Sequence, residues 1–290
     1  MNFKEFNTVT ELFFTQAKKL ANKPHLWKKE NNIYKSISWK ETRGKILNLS
    51  SSLINHGILK GDRVFICCEN RPEFFISDIG IMNAGGISVP AYTTNTSKDH
   101  EYIIKHSGAR AAIVSNYEIA RKVFPAVIAS PKCEFIIIID DKKENIKEPI
   151  TVYSWEDFLK DGEENSIDTS NIKQKRTDTA CIIYTSGTGG YPKGVMLSHG
   201  AMLHNCLGAD DLLKKVFSDL EEIKFLSWLP LSHSYEHTVQ FLFTGWGAQT
   251  YYSEGADKLL INMSEVKPHI MCAVPRFYDT LYSKINSGLK

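Results

Sequence analysis

Short apolar runs alternate with helical periods through the first half of the chain. Ser38-Trp39-Lys40-Glu41 has the spacing of a capping box, which predicts a helix running to about residue 56, and Gly57 then stops it. Residues 64–68 read as a strand, and Pro72 starts a helix that continues through Ala84. Residues 87–90 are extended, Thr96 and Ser97 cap a helix reaching His106, and residues 111–114 are extended again. The alternation persists to Ile139, where the aliphatic run 135–139 is the pattern of a buried strand. This is the βαβ rhythm of an α/β protein with a doubly wound, mostly parallel sheet.

A charged stretch at 140–149 and a polar one at 160–178 interrupt that rhythm, with Trp155 and its neighbours as the main apolar content between them. A boundary there divides the chain into two α/β parts, 1–176 and 177–290. In the second part a β-run at 179–184 precedes a Gly-rich loop, and a helix from about 200 to 216 follows. A strand at 225–228, a helix beginning near His233, extended segments at 250–252 and 270–273, and a helix from Pro275 toward Asn286 complete the pattern.

Composition narrows the class of protein. At 290 residues and 42% apolar content the chain can bury a large core, near the size at which single cores split. Its net charge of +2, without a dense Lys/Arg stripe, argues against a nucleic-acid partner. The six cysteines form no C-x-x-C pair and sit mostly in apolar runs, which fits reduced core thiols in a cytosolic setting. The N-terminus has no apolar signal core, and no run approaches membrane-spanning length.

The densest chemistry lies in Tyr184-Thr185-Ser186-Gly187-Thr188-Gly189-Gly190-Tyr191-Pro192-Lys193-Gly194. Hydroxyls and glycines let backbone N–H groups converge on an anion, and Lys193 adds a positive charge. A Walker loop is excluded because neither glycine register ends in Gly-Lys-Ser/Thr, and Pro192 breaks a Rossmann fingerprint. A solvated Gly-rich hairpin is the alternative.

The segment closely resembles the signature of adenylate-forming acyl and aryl CoA ligases. Gly61-Asp62-Arg63-Val64, Glu69-Asn70-Arg71-Pro72-Glu73-Phe74 and Gly85-Gly86-Ile87-Ser88-Val89-Pro90-Ala91-Tyr92 extend the likeness to the long-chain fatty acid CoA ligases. So do Trp228-Leu229-Pro230-Leu231-Ser232-His233, which resembles the family segment lining the acyl pocket, and Val274-Pro275-Arg276-Phe277-Tyr278 at its edge. Arg276 alone reads equally as a solvated helix-start cation.

The resemblance implies two α/β parts of a large AMP-binding domain, and activation of a fatty acid by ATP to an acyl adenylate that then acylates CoA. Thr185, Ser186, Gly187, Thr188, Gly189, Gly190, Lys193 and Gly194 would hold the β- and γ-phosphates, Thr185 would join the Mg²⁺ shell, and His233 would sit beside the carboxylate as a catalytic group with Lys193. Many relatives have Thr where Gly189 stands, so one hydroxyl contact is lost. The resemblance also implies a cytoplasmic enzyme making peripheral contact with the inner membrane face to reach its lipid. A Mg²⁺-binding glutamate, a ribose-binding aspartate and a C-terminal domain with a catalytic lysine are expected beyond Lys290, so the 290-residue stretch alone is not expected to complete thioester formation.

Three readings compete. Another ligase of the same fold, or a catalytically silent nucleotide-binding module, would share the loop. His233-Ser234-Tyr235-Glu236-His237 also fits the H-x-x-E-H zinc motif of a metalloprotease group.

Overall fold

The computed structural model describes residues 2–140, 149–185 and 192–288. Helix α1 (Val9–Leu20) leads into a hairpin of β1 (Pro24–Glu30) and β2 (Ile33–Ser38), and α2 (Trp39–Asn55) follows at once. There the capping box forms: the Ser38 hydroxyl accepts from the Glu41 amide at 3.2 Å, and the Glu41 carboxylate accepts from the Ser38 amide at 2.7 Å. Then come β3 (Arg63–Cys67), α3 (Pro72–Asn83), β4 (Ile87–Ala91), α4 (Ser97–Ser107), β5 (Ala109–Asn116), α5 (Tyr117–Ile128) and β6 (Phe135–Asp140). The polar interruption holds β7 (Thr151–Ser154) and α6 (Trp155–Glu164). The second half contains β8 (Thr179–Thr185), β9 (Lys193–Ser198), α7 (His199–Leu213), β10 (Lys224–Ser227) and α8 (Ser234–Trp246). It ends with β11 (Gln249–Tyr252), α9 (Leu259–Val266), β12 (Ile270–Met271) and α10 (Pro275–Gly288).

Two mixed, mostly parallel sheets result. The seven-stranded sheet has the order β7-β6-β5-β3-β4-β8-β9, and the five-stranded sheet β12-β10-β11-β1-β2. In each, one edge is an antiparallel hairpin and every other pairing is parallel. Each sheet takes strands from both sides of residue 176.

Strand side chains alternate between two cores, as the two-residue period of a pleated strand requires. Val64 and Ile66 of β3, with Ile113 and Ile137, face a core shared with Phe13, Trp39, Phe75 and Phe241, which joins the two sheets through α1, α2, α3 and α8. Phe65, Val114 and Ile138 face the opposite core under α4 and α5. The seven-stranded sheet is therefore covered on both faces, the doubly wound arrangement expected. Behind the five-stranded sheet, Leu226 and Tyr251 pack on Leu259 and Val266 of α9. Among the described residues no helix is long and apolar enough to cross a membrane.

Candidate active site

In the seven-stranded sheet β4 is laid on one side of β3 and β5 on the other, so the order of strand addition reverses at β3. Open α/β sheets bind ligands outside the carboxyl ends of their strands at such a point. A polar cavity of about 230 Å³ lies there, lined by Cys68, Asn70, Tyr92 and Thr93 and, from the five-stranded sheet, by Trp228, Ser232 and Ser253. Tyr92 also walls a cavity of about 340 Å³, whose lining includes Asn95, Asp99, Thr185, Pro192 and His233. Trp228 also walls an apolar cavity of about 330 Å³, lined further by Leu229, Leu259, Leu260, Val274 and Phe277. The three cavities thus share walls in a row, running from apolar through polar to the strand end of β8.

The Gly-rich segment is carried by an edge hairpin. The expectation of a strand-loop-helix element is corrected: after Pro192 the chain returns as β9, antiparallel to β8, and α7 starts only at His199. Proline forbids a helix through that point, and Val195-Met196-Leu197 suits a strand. Thr185 ends β8 and faces Lys193 in the register, and the Lys193 side chain is exposed. Gly194 has a packing reason besides any anion role. A Cβ there would stand 2.9 Å from Ile182 Cγ2 and 3.2 Å from Tyr184 Cζ, tighter than ordinary contact. Ser186, Gly187, Thr188, Gly189 and Gly190 lie outside the described residues.

His233 is both a cap and a lining residue. Its Nδ1 accepts from the Tyr235 amide at 3.2 Å at the N-terminus of α8. A neutral imidazole with Nδ1 accepting carries its proton on Nε2, which makes Nε2 a donor. The turn before it is splinted by Asn70, whose amide donates to the Leu229 carbonyl at 2.7 Å and to Ser227 Oγ at 3.1 Å while its Oδ1 accepts from the Leu231 amide at 3.1 Å. Ser227 in turn donates to Glu236 at 2.8 Å. Burial pushes the Glu236 carboxyl up to about 8, with only partial offset from Ser227, so it is mostly protonated at neutral pH.

The zinc reading does not survive this geometry. His233 is exposed, whereas Glu236 and His237 are fully buried and committed elsewhere. His237 Nδ1 lies 2.9 Å from the Leu231 carbonyl and Nε2 3.2 Å from Asp78 Oδ2 in the core. Burial raises the Asp78 carboxyl, opposed by His237 and by hydrogen bonds from Ser88 and Gln240. Among the described residues no group of three or more His, Cys, Asp or Glu side chains is placed to hold a metal ion.

Arg276 is exposed at the mouth of the apolar cavity, on the first turn of α10. Site residues that sequence reasoning passed over are Asn70, Tyr92, Asn95 and Asp99. Each sits just past a parallel strand or in the following cap, so the switch-point rule was the available signal. Asp99 is held below the usual carboxylate range by the Thr96 hydroxyl and amide.

Comparison with known proteins places this arrangement. The model of the family described as AMP-binding enzyme matches residues 13–290. Long chain acyl-CoA synthetase 3 of Arabidopsis thaliana is 30% identical over 96% of this chain and 44% of its own length. The long-chain-fatty-acid–CoA ligase ACSBG2 of Xenopus laevis is 29% identical over 97% of this chain and 39% of its own. The chain thus spans less than half the length of these relatives. The crystal structure of a long-chain-fatty-acid-CoA ligase (FadD1) from Archaeoglobus fulgidus superposes with a TM-score of 0.79 at 21% identity, covering 97% of this chain and 54% of that one. Because the family match takes in every strand of both sheets, it applies to the folded unit as a whole, and the chain belongs to the AMP-binding enzymes.

Proposed function

We propose that this chain carries the pyrophosphate grip and part of the acyl pocket of a ligase that activates a long-chain fatty acid with ATP and passes the acyl group to CoA. The observation that carries the reading is one cavity: Thr185 and Pro192 from the hairpin meet His233, some 40 positions away, on its wall. The neighbouring apolar cavity suits an aliphatic tail, since burying each methylene contributes about 0.8 kcal/mol. The names of the relatives point the same way.

In the reaction a carboxylate oxygen attacks the α-phosphorus of ATP, the bond to the β-phosphate bridging oxygen breaks, and pyrophosphate leaves. A thiolate of CoA then attacks the acyl carbon and AMP departs. Thr185 donates its hydroxyl to the polyphosphate, and Lys193, on the paired strand, adds positive charge as pyrophosphate develops. Nε2 of His233 donates to the carboxylate and orients it. Trp228, shared between the apolar and polar cavities, holds the tail on one side of the reacting end. The Thr185 hydroxyl and the Asp99 carboxylate are hard oxygen donors suited to Mg²⁺, which would neutralise phosphate charge when bound.

The test is binding by titration calorimetry of inorganic pyrophosphate, Mg·ATP and non-hydrolysable acyl-sulfamoyl adenosines to the 290-residue chain. A palmitoyl analogue binding more tightly than benzoyl and aminoacyl analogues is expected. Preference for the aryl or aminoacyl analogue would reject the lipid assignment, and no binding of inorganic pyrophosphate or Mg·ATP would reject the phosphate site.

A further inference from the structure

Helix α4 presents two adjacent stripes to the hairpin. Asp99 and Ile103, one turn apart, line the cavity that holds Thr185 and Pro192. Tyr102 and His106, also one turn apart, reach the hairpin itself. His106 Nδ1 lies 2.7 Å from the Tyr184 hydroxyl, and the Tyr102 hydroxyl donates to the Pro192 carbonyl at 3.0 Å. One helix face therefore grips β8 one residue before its end and the chain one residue before β9 begins.

We propose that Tyr102 and His106 are positioning residues that fix the separation and orientation of the Thr185 and Lys193 ends of the hairpin. The purpose assigned to them rests on the nucleotide reading above; the clamp itself rests on geometry. β9 is the sheet's edge strand, and Val195 and Met196 on it are exposed, so apolar burial does little to hold the β9 side of the hairpin. The aromatic cluster supplies what burial does not. The Tyr102 and His106 rings stack at 5.3 Å and 19°, and the Tyr184 ring meets His106 edge-on at 5.7 Å and 81°. Gly194, facing Tyr184 across the ladder, leaves room for that ring. Burial pushes the Tyr184 phenol up to about 12, so it keeps its proton at neutral pH and pairs with His106 as a neutral hydroxyl. Two hydrogen bonds from one rigid helix, to β8 and to the residue that leads into β9, set a distance that either bond alone would leave free.

Residue-resolved amide exchange on the 290-residue chain tests the clamp, paired with calorimetric titration of Mg·ATP. Tyr102→Phe keeps the ring and removes one oxygen, His106→Leu removes the ring nitrogens, and His106→Asn restores a polar group near Nδ1. Each lost bond should accelerate exchange at residues 184–185 and 193–194 about fivefold, with residues 181–182 and 196–197 unchanged. His106→Asn should recover most of the His106→Leu effect, and the Mg·ATP dissociation constant should rise about three- to tenfold in Tyr102→Phe. Unchanged exchange in the Tyr102→Phe/His106→Leu double variant overturns the clamp, whether or not ATP binds. Faster exchange at the hairpin end in a chain that binds no ATP upholds the clamp and overturns the nucleotide reading.

Discussion

The two sheets end in hairpins of the same build that are held in opposite ways. In β1–β2 and in β8–β9 the first strand has an irregularity near its open end, and the second strand passes directly into a helix capped by serine, Ser38 in one and Ser198 in the other. The first residue of each helix is fully buried, Trp39 and His199. The closed ends differ. β1–β2 is closed by Asn31 and Asn32, both at positive φ, the requirement of a type I′ turn, so local chemistry alone fixes it. In β8–β9 the connection 186–192 carries hydroxyls, glycines and Pro192, and its ends are fixed by side chains from another helix. A hairpin kept for structure satisfies its own turn. On the proposed reading the other serves chemistry, and side chains of α4 hold the residues at its two ends.

The largest expected effect comes from removing the core support of the structural hairpin. Trp39 stacks on His25 at 3.5 Å between ring centroids and on Phe13 at 5.8 Å. Trp39→Ala should cost about 3–5 kcal/mol, read as a lower denaturant midpoint. A loss below about 1 kcal/mol would show that β1–β2 does not depend on that packing. Next, Lys193→Ala in the other hairpin should weaken Mg·ATP binding about ten- to hundredfold, the range for a lost charged contact, with stability within about 0.5 kcal/mol of the parent. Equal affinity in the variant would remove Lys193 from the phosphate site.

What was legible follows the same division. The capping box at Ser38, the Pro72 helix start and the Thr96 cap announce themselves through local chemistry, and the structure has all three. The run 135–139 was readable because both faces of β6 are buried. By contrast β1, β2, β7 and β9 lie at or next to sheet edges and are half exposed, so their polar side chains mask the two-residue period. Thr185 and His233 were legible as chemistry-bearing residues within motifs. Asn70 and Tyr92 lie just past β3 and β4, and Asp99 in the cap that follows, where strand ends mark them as candidates, but which cavity walls they share is set by the packing of the two sheets.

A smaller effect tests the turn. Asn32→Val should cost about 1–2 kcal/mol, the penalty for a branched side chain in the left-handed region, and leave Mg·ATP affinity unchanged. Loss of affinity would mean that the two hairpins are coupled. The smallest effect is in pH. Burial holds His199 down at about 4 and His25 well below its ordinary value, so both are neutral in the folded chain. Their stabilisation is complete above the unfolded value near 6.5 and is lost as pH falls from there toward 4. His199→Gln should make the decline of the denaturation midpoint over that window shallower, and an unaltered slope would exclude His199 as a contributor.

The most direct measurement of the central claim is amide and imidazole resonance mapping of the chain during titration with Mg·ATP and then with palmitoyl-sulfamoyl adenosine. The account predicts that Mg·ATP shifts Thr185, Lys193 and Gly194, that the acyl analogue adds shifts at His233 and Trp228, and that Asn31 and Asn32 stay silent. Saturable binding that leaves Thr185 and His233 unshifted would contradict it.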